Sequence, residues 1–244
     1  VRIAWRSLLR RIPALLILAG LIGGVAYAST DAQFFVYQAH VRGAQHMAAE
    51  VIYQAAGIHE QNIFWIQPRE VAQRIVQLDG IKAVRVQCSL PAKVLIEVEE
   101  REPMVMWRAR AQDQDWWLDE EGVVLPYHGD VGSADTVFVV DSSERSLGVG
   151  MTIEPQDIVR SVLQLAAALP EISVFYYDAD RGLSFMHSGD DGEWPVYVGS
   201  SEDLTHKIEV MRVLTEYLVA QGIRPRYVDV RWADRPVFGK PPGD

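Results

Sequence analysis

Residues 81–101 read IKAVRVQCSLPAKVLIEVEER, and their alternation sets what must surround them. Val84, Val86 and Cys88 alternate with Arg85 and Gln87, the period-two pattern of a half-buried strand. Ser89-Leu90-Pro91-Ala92 turns the chain, and Val94, Ile96 and Val98 then alternate with Lys93, Glu97 and Glu99. Two strands with one apolar face each need a cover, and it lies upstream. Met47, Val51 and Ala55, reinforced by Ala48 and Ile52, fall on one helical face that Gly57 ends. Pro68 opens a second helix, with Val71, Ile75 and Leu78 at the i, i+4, i+7 spacing and Asp79-Gly80 as its stop. Before both, Phe35-Val36-Tyr37, Ala39 and Val41 read as a strand closed by Gly43. Residues 34–101 therefore predict a β-α-α-β-β domain, two helices on one face of a three-stranded sheet.

Further upstream, residues 12–30 (IPALLILAGLIGGVAYAST) carry no charge. At about 1.5 Å per residue they span roughly 28 Å, close to the hydrocarbon thickness of a bilayer. Arg2, Arg6, Arg10 and Arg11 precede the run and Asp31 follows it. The positive-inside rule then leaves residues 1–11 as a basic cytoplasmic tail and exports everything after residue 30. Pro13 falls in the first turn of the run, where its missing N–H costs little. The run is longer than the usual core of a signal peptide, which predicts an uncleaved anchor, single-pass with its N-terminus inside. Ala26-Tyr27-Ala28 before Ser29 has the small-x-small form of a cleavage site, and cleavage after Ala28 is the competing reading. Gly20 and Gly24 form a GxxxG pair, weak by itself because glycine is common in membrane helices.

Downstream, residues 102–232 predict a strand-rich α+β domain. Val105-Met106-Trp107, Trp116-Trp117-Leu118, Val123-Val124-Leu125 and Val137-Phe138-Val139-Val140 read as strands between Asp/Gly-rich turns. A helix over 155–169 carries Ile158, Val162, Leu165 and Leu169 in register. Strands follow at 172–177, 183–186 and 196–198, then a helix after Ser200 with Leu204, Ile208, Met211 and Leu218 facing inward and Gly222 as its stop. Tyr227 to Trp232 closes the domain as its last strand, and residues 233–244, with Pro236, Pro241 and Pro242, read as a frayed tail.

Composition narrows the function classes. Of 244 residues 49% are apolar and 23% charged, which excludes pure disorder and collagen-like repeats. A single cysteine, Cys88, excludes a disulfide scaffold and a multi-thiolate zinc site. The net charge is −10, and the four N-terminal arginines leave 19 basic against 33 acidic residues in the remainder, a net −14. A domain that acidic is a poor nucleic-acid binder, because neutralising phosphate supplies most non-specific affinity.

In sum of parts and order, the chain resembles the FtsQ family of bacterial cell-division proteins, called DivIB in Gram-positive organisms. The stretches that carry the resemblance are Val41-Arg42-Gly43, Asn62-Ile63-Phe64-Trp65-Ile66, Ile81-Lys82-Ala83-Val84-Arg85-Val86, and Leu90 to Val98 followed by Glu100-Arg101-Glu102-Pro103. Trp117-Leu118-Asp119-Glu120-Glu121-Gly122-Val123-Val124 resembles the family's opening of its second domain, and Tyr227-Val228-Asp229-Val230-Arg231 its closing strand. Gly80 stands where many members carry proline. The resemblance implies that residues 34–101 are a POTRA module, a docking domain without chemistry of its own. It also implies FtsB (DivIC) and FtsL-like single-pass proteins as partners, other division proteins as possible POTRA ligands, and a place in the cell membrane at the septum.

Catalytic readings find little to stand on. The histidines (His40, His46, His59, His128, His187, His206) show no HExxH or HxH spacing. Asp190, Asp191 and Glu193 in a Gly-rich turn lack EF-hand spacing, and Gly148-Val149-Gly150 lacks the rest of a nucleotide fingerprint. Glu97, Glu99, Glu100 and Glu102 read as a charged strand face rather than a hydrolytic carboxylate pair, and Cys88 as an inert thiol. Trp107, Trp116 and Trp117 read as packing residues at the domain junction. No enzyme and no cofactor is expected. The expected function is a non-catalytic, membrane-anchored division scaffold. The alternatives are a POTRA-bearing secretion or outer-membrane assembly component, which would need a long series of membrane strands, and an exported envelope hydrolase.

The expected partner-binding residues are Tyr227, Val228, Asp229, Val230, Arg231 and Trp232. A last strand with nothing after it to pair with is a sheet edge, and a free edge accepts an incoming strand. Alternation puts Tyr227, Asp229 and Arg231 on one face and Val228, Val230 and Trp232 on the other. Family resemblance points to strand addition at the same edge, and proline at Val230 is expected to spare the fold while abolishing capture.

Overall fold

The computed structural model describes residues 2–127, 136–189 and 192–240. The chain divides after Glu100 into two compact units. In the first, α1 (Arg2–Thr30) contains residues Arg11–Thr30, long and apolar enough to cross a membrane and unburied by the protein. Then come β1 (Phe35–Val36), β2 (His40–Arg42), α2 (Ala49–Ala56), β3 (Gln61–Asn62), α3 (Pro68–Ile75), β4 (Ile81–Ser89) and β5 (Lys93–Glu100).

The three-stranded sheet has the order β2-β5-β4. The central β5 runs parallel to β2 and antiparallel to β4, with Val84 opposite Val98 and Val86 opposite Ile96. The alternation in 81–101 thus becomes a buried row of Val94, Ile96 and Val98, on which Ile52, Ala56, Val71 and Ile75 of the helices pack. The expected first strand is broken in two: β1 pairs with β3, and β2 pairs with β5. The face of α2 is also turned from the expected one. Ile52 and Ala56 point inward while Val51 is exposed, because this helix has only two turns and Ile52, not Val51, leads to the sheet. Gly43 has φ +87°, and a Cβ there would lie 2.0 Å from the Val98 carbonyl oxygen, so only glycine lets the β2 exit cross β5. Gly80, at φ +91°, holds a conformation closed to proline.

One long-range lock was invisible to pattern reading. Glu100, at the end of β5, accepts the backbone N–H groups of His46 (2.8 Å) and Met47 (3.0 Å), and its carboxylate lies 3.0 Å from His46 Nδ1. Burial by itself would raise this carboxyl. The N–H donors of His46, Met47 and Gln45 and the His46 ring outweigh it and hold the group below the usual carboxylate range.

The second unit contains β6 (Val105–Ala109), β7 (Gln114–Leu118), β8 (Val137–Asp141), α4 (Ile158–Ala168), β9 (Val174–Asp178), β10 (Gly182–Gly189), β11 (Gly192–Gly199), α5 (Leu204–Ala220), β12 (Val228–Asp229) and β13 (Val237–Phe238). They form one eight-stranded mixed sheet in the order β13-β12-β11-β10-β9-β8-β6-β7. Each helix serves a parallel crossover: α4 links β8 to β9 and α5 links β11 to β12. The apolar stripes of both helices, including Val162, Leu165, Ile208 and Met211, enter one core with Trp107, Phe175 and Val196. Trp107 and Trp116 belong to this core, and Trp107 Nε1 donates to the fully buried Asp141 (3.0 Å).

The expected strand at 123–125 reduces to single bridges, Val123 to Thr152 and Val124 to Leu118. Its neighbour explains the family stretch at 117–124. Asp119 accepts the N–H groups of Glu121 (3.0 Å) and Val123 (2.8 Å) and is held by Arg101, which also bonds Glu121 (2.8 Å). The carboxylate closes the turn in which Gly122 takes φ +79°.

Candidate functional site

The sequence places the partner site at the C-terminal end of the sheet, and there the structure departs from expectation. Only Val228 and Asp229 of the six residues form strand, pairing in parallel with Val196 and Tyr197 of β11. The other side of β12 is already taken. After Trp232 the chain turns back through 233–236, and β13 pairs antiparallel with β12, Val228 opposite Phe238 and Asp229 opposite Val237. Tyr227 and Gly239 continue the ladder, Gly239 N–H donating to the Tyr227 carbonyl (2.9 Å). The edge of the sheet is therefore β13, not the 227–232 segment, and the stretch read as a frayed tail supplies it. A two-residue strand is too short to leave an alternation in the sequence.

The six residues also divide by burial. Val228 and Val230 are fully buried and Asp229 nearly so, and Val230 N–H donates inward to the Tyr197 carbonyl (2.9 Å). Proline at Val230 would thus cut an internal ladder bond, contrary to the expectation that it spares the fold. Tyr227 and Trp232 remain exposed, as does Val237 beside them. The Tyr227 ring lies 6.1 Å from that of Tyr197. Arg231 is clamped by Asp229, with Nε 3.0 Å from both carboxylate oxygens and a terminal nitrogen 2.7 Å from Oδ2. That bond raises the guanidinium above its ordinary value, and its carbon sits 4.9 Å from the Trp232 ring centre. The clamp fixes a planar cation and an exposed indole side by side.

Backbone geometry then says which group of β13 is offered. Gly239 bonds inward to β12, and bonding alternates along an antiparallel pair, so Phe238 turns its N–H and C=O away from β12. On the far side of Arg231 and Trp232, and without lining from β13, lies a groove of about 430 Å³ that also includes Asp157, Arg181 and Ser201, in which Ser201 Oγ bonds Asp157. The arrangement is suited to binding an extended segment, with main-chain groups at Phe238 and aromatic or cationic side chains at Tyr227, Trp232 and Arg231.

Of the residues weighed for chemistry, Asp190, Asp191 and His128 lie outside the described residues, and Glu193 is an exposed member of β11 opposite Ser188. Among the described residues no group of three or more His, Cys, Asp or Glu side chains converges as a metal site would require. Cys88 is half-buried in β4, and burial pushes its thiol up, away from the reactive thiolate. Glu97 and Glu99 stay on the strand face, whereas Glu100 is the lock described above.

Comparison with known proteins covers most of the sequence. Residues 36–101 match the POTRA domain, FtsQ-type. Over 208 residues the chain is 26% identical to the cell division protein FtsQ of Chloroflexus aggregans, covering 84% of this chain and 74% of that protein. It is 26% identical over 172 residues to FtsQ of Corynebacterium glutamicum, covering 70% of this chain and 74% of the relative. With FtsQ of Caulobacter vibrioides it shares 30% identity over 108 residues, covering 44% of this chain and 35% of the relative.

Proposed function

We propose that this chain, a relative of the FtsQ cell-division proteins with an FtsQ-type POTRA domain over residues 36–101, is a non-catalytic, membrane-anchored scaffold of the division machinery. Its N-terminal tail lies in the cytoplasm, α1 crosses the membrane once, and both units work outside it at the septum. There they recruit single-pass division proteins, FtsB (DivIC) and FtsL-like chains, and the POTRA domain serves further division proteins. The four arginines before α1 support the orientation.

The observation that carries the binding role is the edge at β13. A partner strand extends the sheet outward from Phe238, while Tyr227, Arg231 and Trp232 provide side-chain contacts. Val228, Asp229 and Val230 serve the site by holding that edge in register. The test separates main chain from side chain. Phe238→Ala removes the ring and keeps the outward N–H, whereas Phe238→Pro removes both. With the full chain in detergent and FtsB (DivIC) as ligand, proline is expected to weaken binding at least tenfold beyond alanine. Equal affinity of the two variants, both folded by circular dichroism, would refute strand addition at β13.

A further inference from the structure

The turn after β3 carries two large aromatic side chains that the POTRA core does not use. Phe64 is 52% exposed and Trp65 is 73% exposed, although Ile63 and Ile66 on either side are buried. The turn is nevertheless rigidly held. Asn62, itself buried, donates from Nδ2 to the Ala28 carbonyl of α1 (2.7 Å), and its Oδ1 accepts the Phe64 N–H (3.1 Å). The Phe34 ring stands 5.4 Å from Phe64 and 5.9 Å from Tyr27. Phe64 and Trp65 thereby form one wall of an apolar groove whose other wall is α1 itself, from Ala28 down past Gly24 to Leu21.

The depth of that groove is the deciding point. At about 1.5 Å per residue, Leu21 lies roughly 13 Å below Thr30 along the helix axis, well inside the apolar run. A bilayer thick enough to cover α1 must therefore reach the two aromatic rings. Indole and phenyl rings favour the boundary between headgroups and acyl chains, where their apolar faces leave water and the indole N–H keeps a partner.

We infer that Phe64 and Trp65 are a second membrane contact, seating the POTRA domain in the interfacial layer of the bilayer that α1 crosses. This rests on reading α1 as a membrane anchor. The occupant of the groove is lipid, because the groove is continuous with the lipid-facing surface of the span. The seat restricts the tilt of the first unit about its anchor, which a single helix with a loose linker would leave free.

The experiment uses the full chain with Cys88→Ser, reconstituted in nanodiscs of phosphatidylethanolamine and phosphatidylglycerol. A nitroxide is attached at one introduced cysteine at a time: Trp65→Cys, Leu21→Cys as the membrane reference, and Val213→Cys, exposed on α5, as the aqueous reference. Relaxation by dissolved oxygen is compared with relaxation by a water-soluble nickel chelate. The oxygen-to-nickel ratio at position 65 is expected to exceed that at 213 several-fold and to approach that at 21. A ratio at 65 equal to that at 213, with position 21 still lipid-like, would overturn the seat and leave the anchor standing. A water-like ratio at 21 as well would overturn the anchor reading and the seat with it. Dipolar broadening between labels at 65 on two chains would put a second copy in the groove and overturn the lipid assignment. In the unlabelled protein, quenching of tryptophan emission by lipids brominated near the headgroup is expected to fall on Trp65→Phe. Unchanged quenching would count against the seat.

Discussion

Replacing Glu100 by glutamine changes one atom type in a lock that spans the first unit. The carboxylate, with a side chain 5% exposed, accepts the N–H groups of His46 and Met47 at 2.8 and 3.0 Å. Glutamine retains one acceptor and turns an NH2 group toward the other donor, so one bond is lost and the survivor loses its charge. Hydrogen bonds to charged groups contribute about 1.5–3 kcal/mol, and a buried donor left unpaired costs about 1–3 kcal/mol. The expected loss is therefore about 2–3 kcal/mol of local stability in the 44–48 segment. At tenfold per 1.4 kcal/mol, amide exchange at His46 and Met47 should rise roughly 30- to 140-fold. Hydrogen-exchange mass spectrometry of the full chain in nanodiscs reads this directly. The wild-type protein supplies a second arm. Because the folded carboxyl is held below its unfolded value, its contribution is complete above the ordinary carboxylate range and is lost as pH falls through the folded value. Protection of the two amides, corrected for intrinsic rate, should fall with acid in the wild type and stay flat in Glu100→Gln. Unaltered exchange at both amides in the variant at neutral pH would refute the lock.

Two further outcomes follow from buried partners in the second unit. Asp141→Ala removes the carboxylate that accepts Trp107 Nε1 (3.0 Å) and Ser143 N–H (2.8 Å) and faces Arg145 Nε (3.0 Å), leaving a largely buried guanidinium without its counter-charge and with only the Ser143 hydroxyl and the Glu154 carbonyl as hydrogen-bond partners. A loss of about 3–5 kcal/mol is expected in urea unfolding followed by tryptophan fluorescence, and a change under about 1 kcal/mol would contradict the burial argument. Val230→Pro deletes the bond to the Tyr197 carbonyl and should lower stability by about 1–3 kcal/mol in the same assay, whereas Phe238→Pro should cost little beyond Phe238→Ala.

Much of the architecture is legible along the chain because it is written in local periods. The alternation of Val84, Val86, Cys88, Val94, Ile96 and Val98 requires two adjacent strands, and it becomes the antiparallel pair of β4 and β5. Pro68 and Gly57 mark the ends of short helices whatever those helices touch, since one lacks an N–H and the other tolerates φ +61°. The uncharged run of residues 12–30 is long enough for a bilayer by counting alone. The inward stripe of α5 (Leu204, Ile208, Met211, Leu218) was equally plain, because a helix of 17 residues repeats its signal several times.

The edge of the large sheet was not legible, and the reason is physical. Which strand ends a sheet depends on which segments pair across space, and β13 is two residues long, below the length at which alternation carries information. The residue types at Tyr227, Arg231 and Trp232 could be read as candidates for contact. The inward aim of the Val230 N–H and the outward aim of Phe238 depend on ladder register alone. Glu100 looked like one more acid on a charged strand, because its donors lie more than fifty positions away at His46 and Met47. Phe64 and Trp65 stand in the sequence as part of the stretch 62–66 that carries the family resemblance; the bond from Asn62 to Ala28 and the Tyr27–Phe34–Phe64 ring contacts bring them against α1. Local pattern thus settles the longer elements and which face of most of them is apolar, but not the two- and three-residue strands. Pairing order, edge direction and contacts between distant residues need the closed tertiary fold, since the free energy that selects them is shared among residues with no sequence proximity to record it.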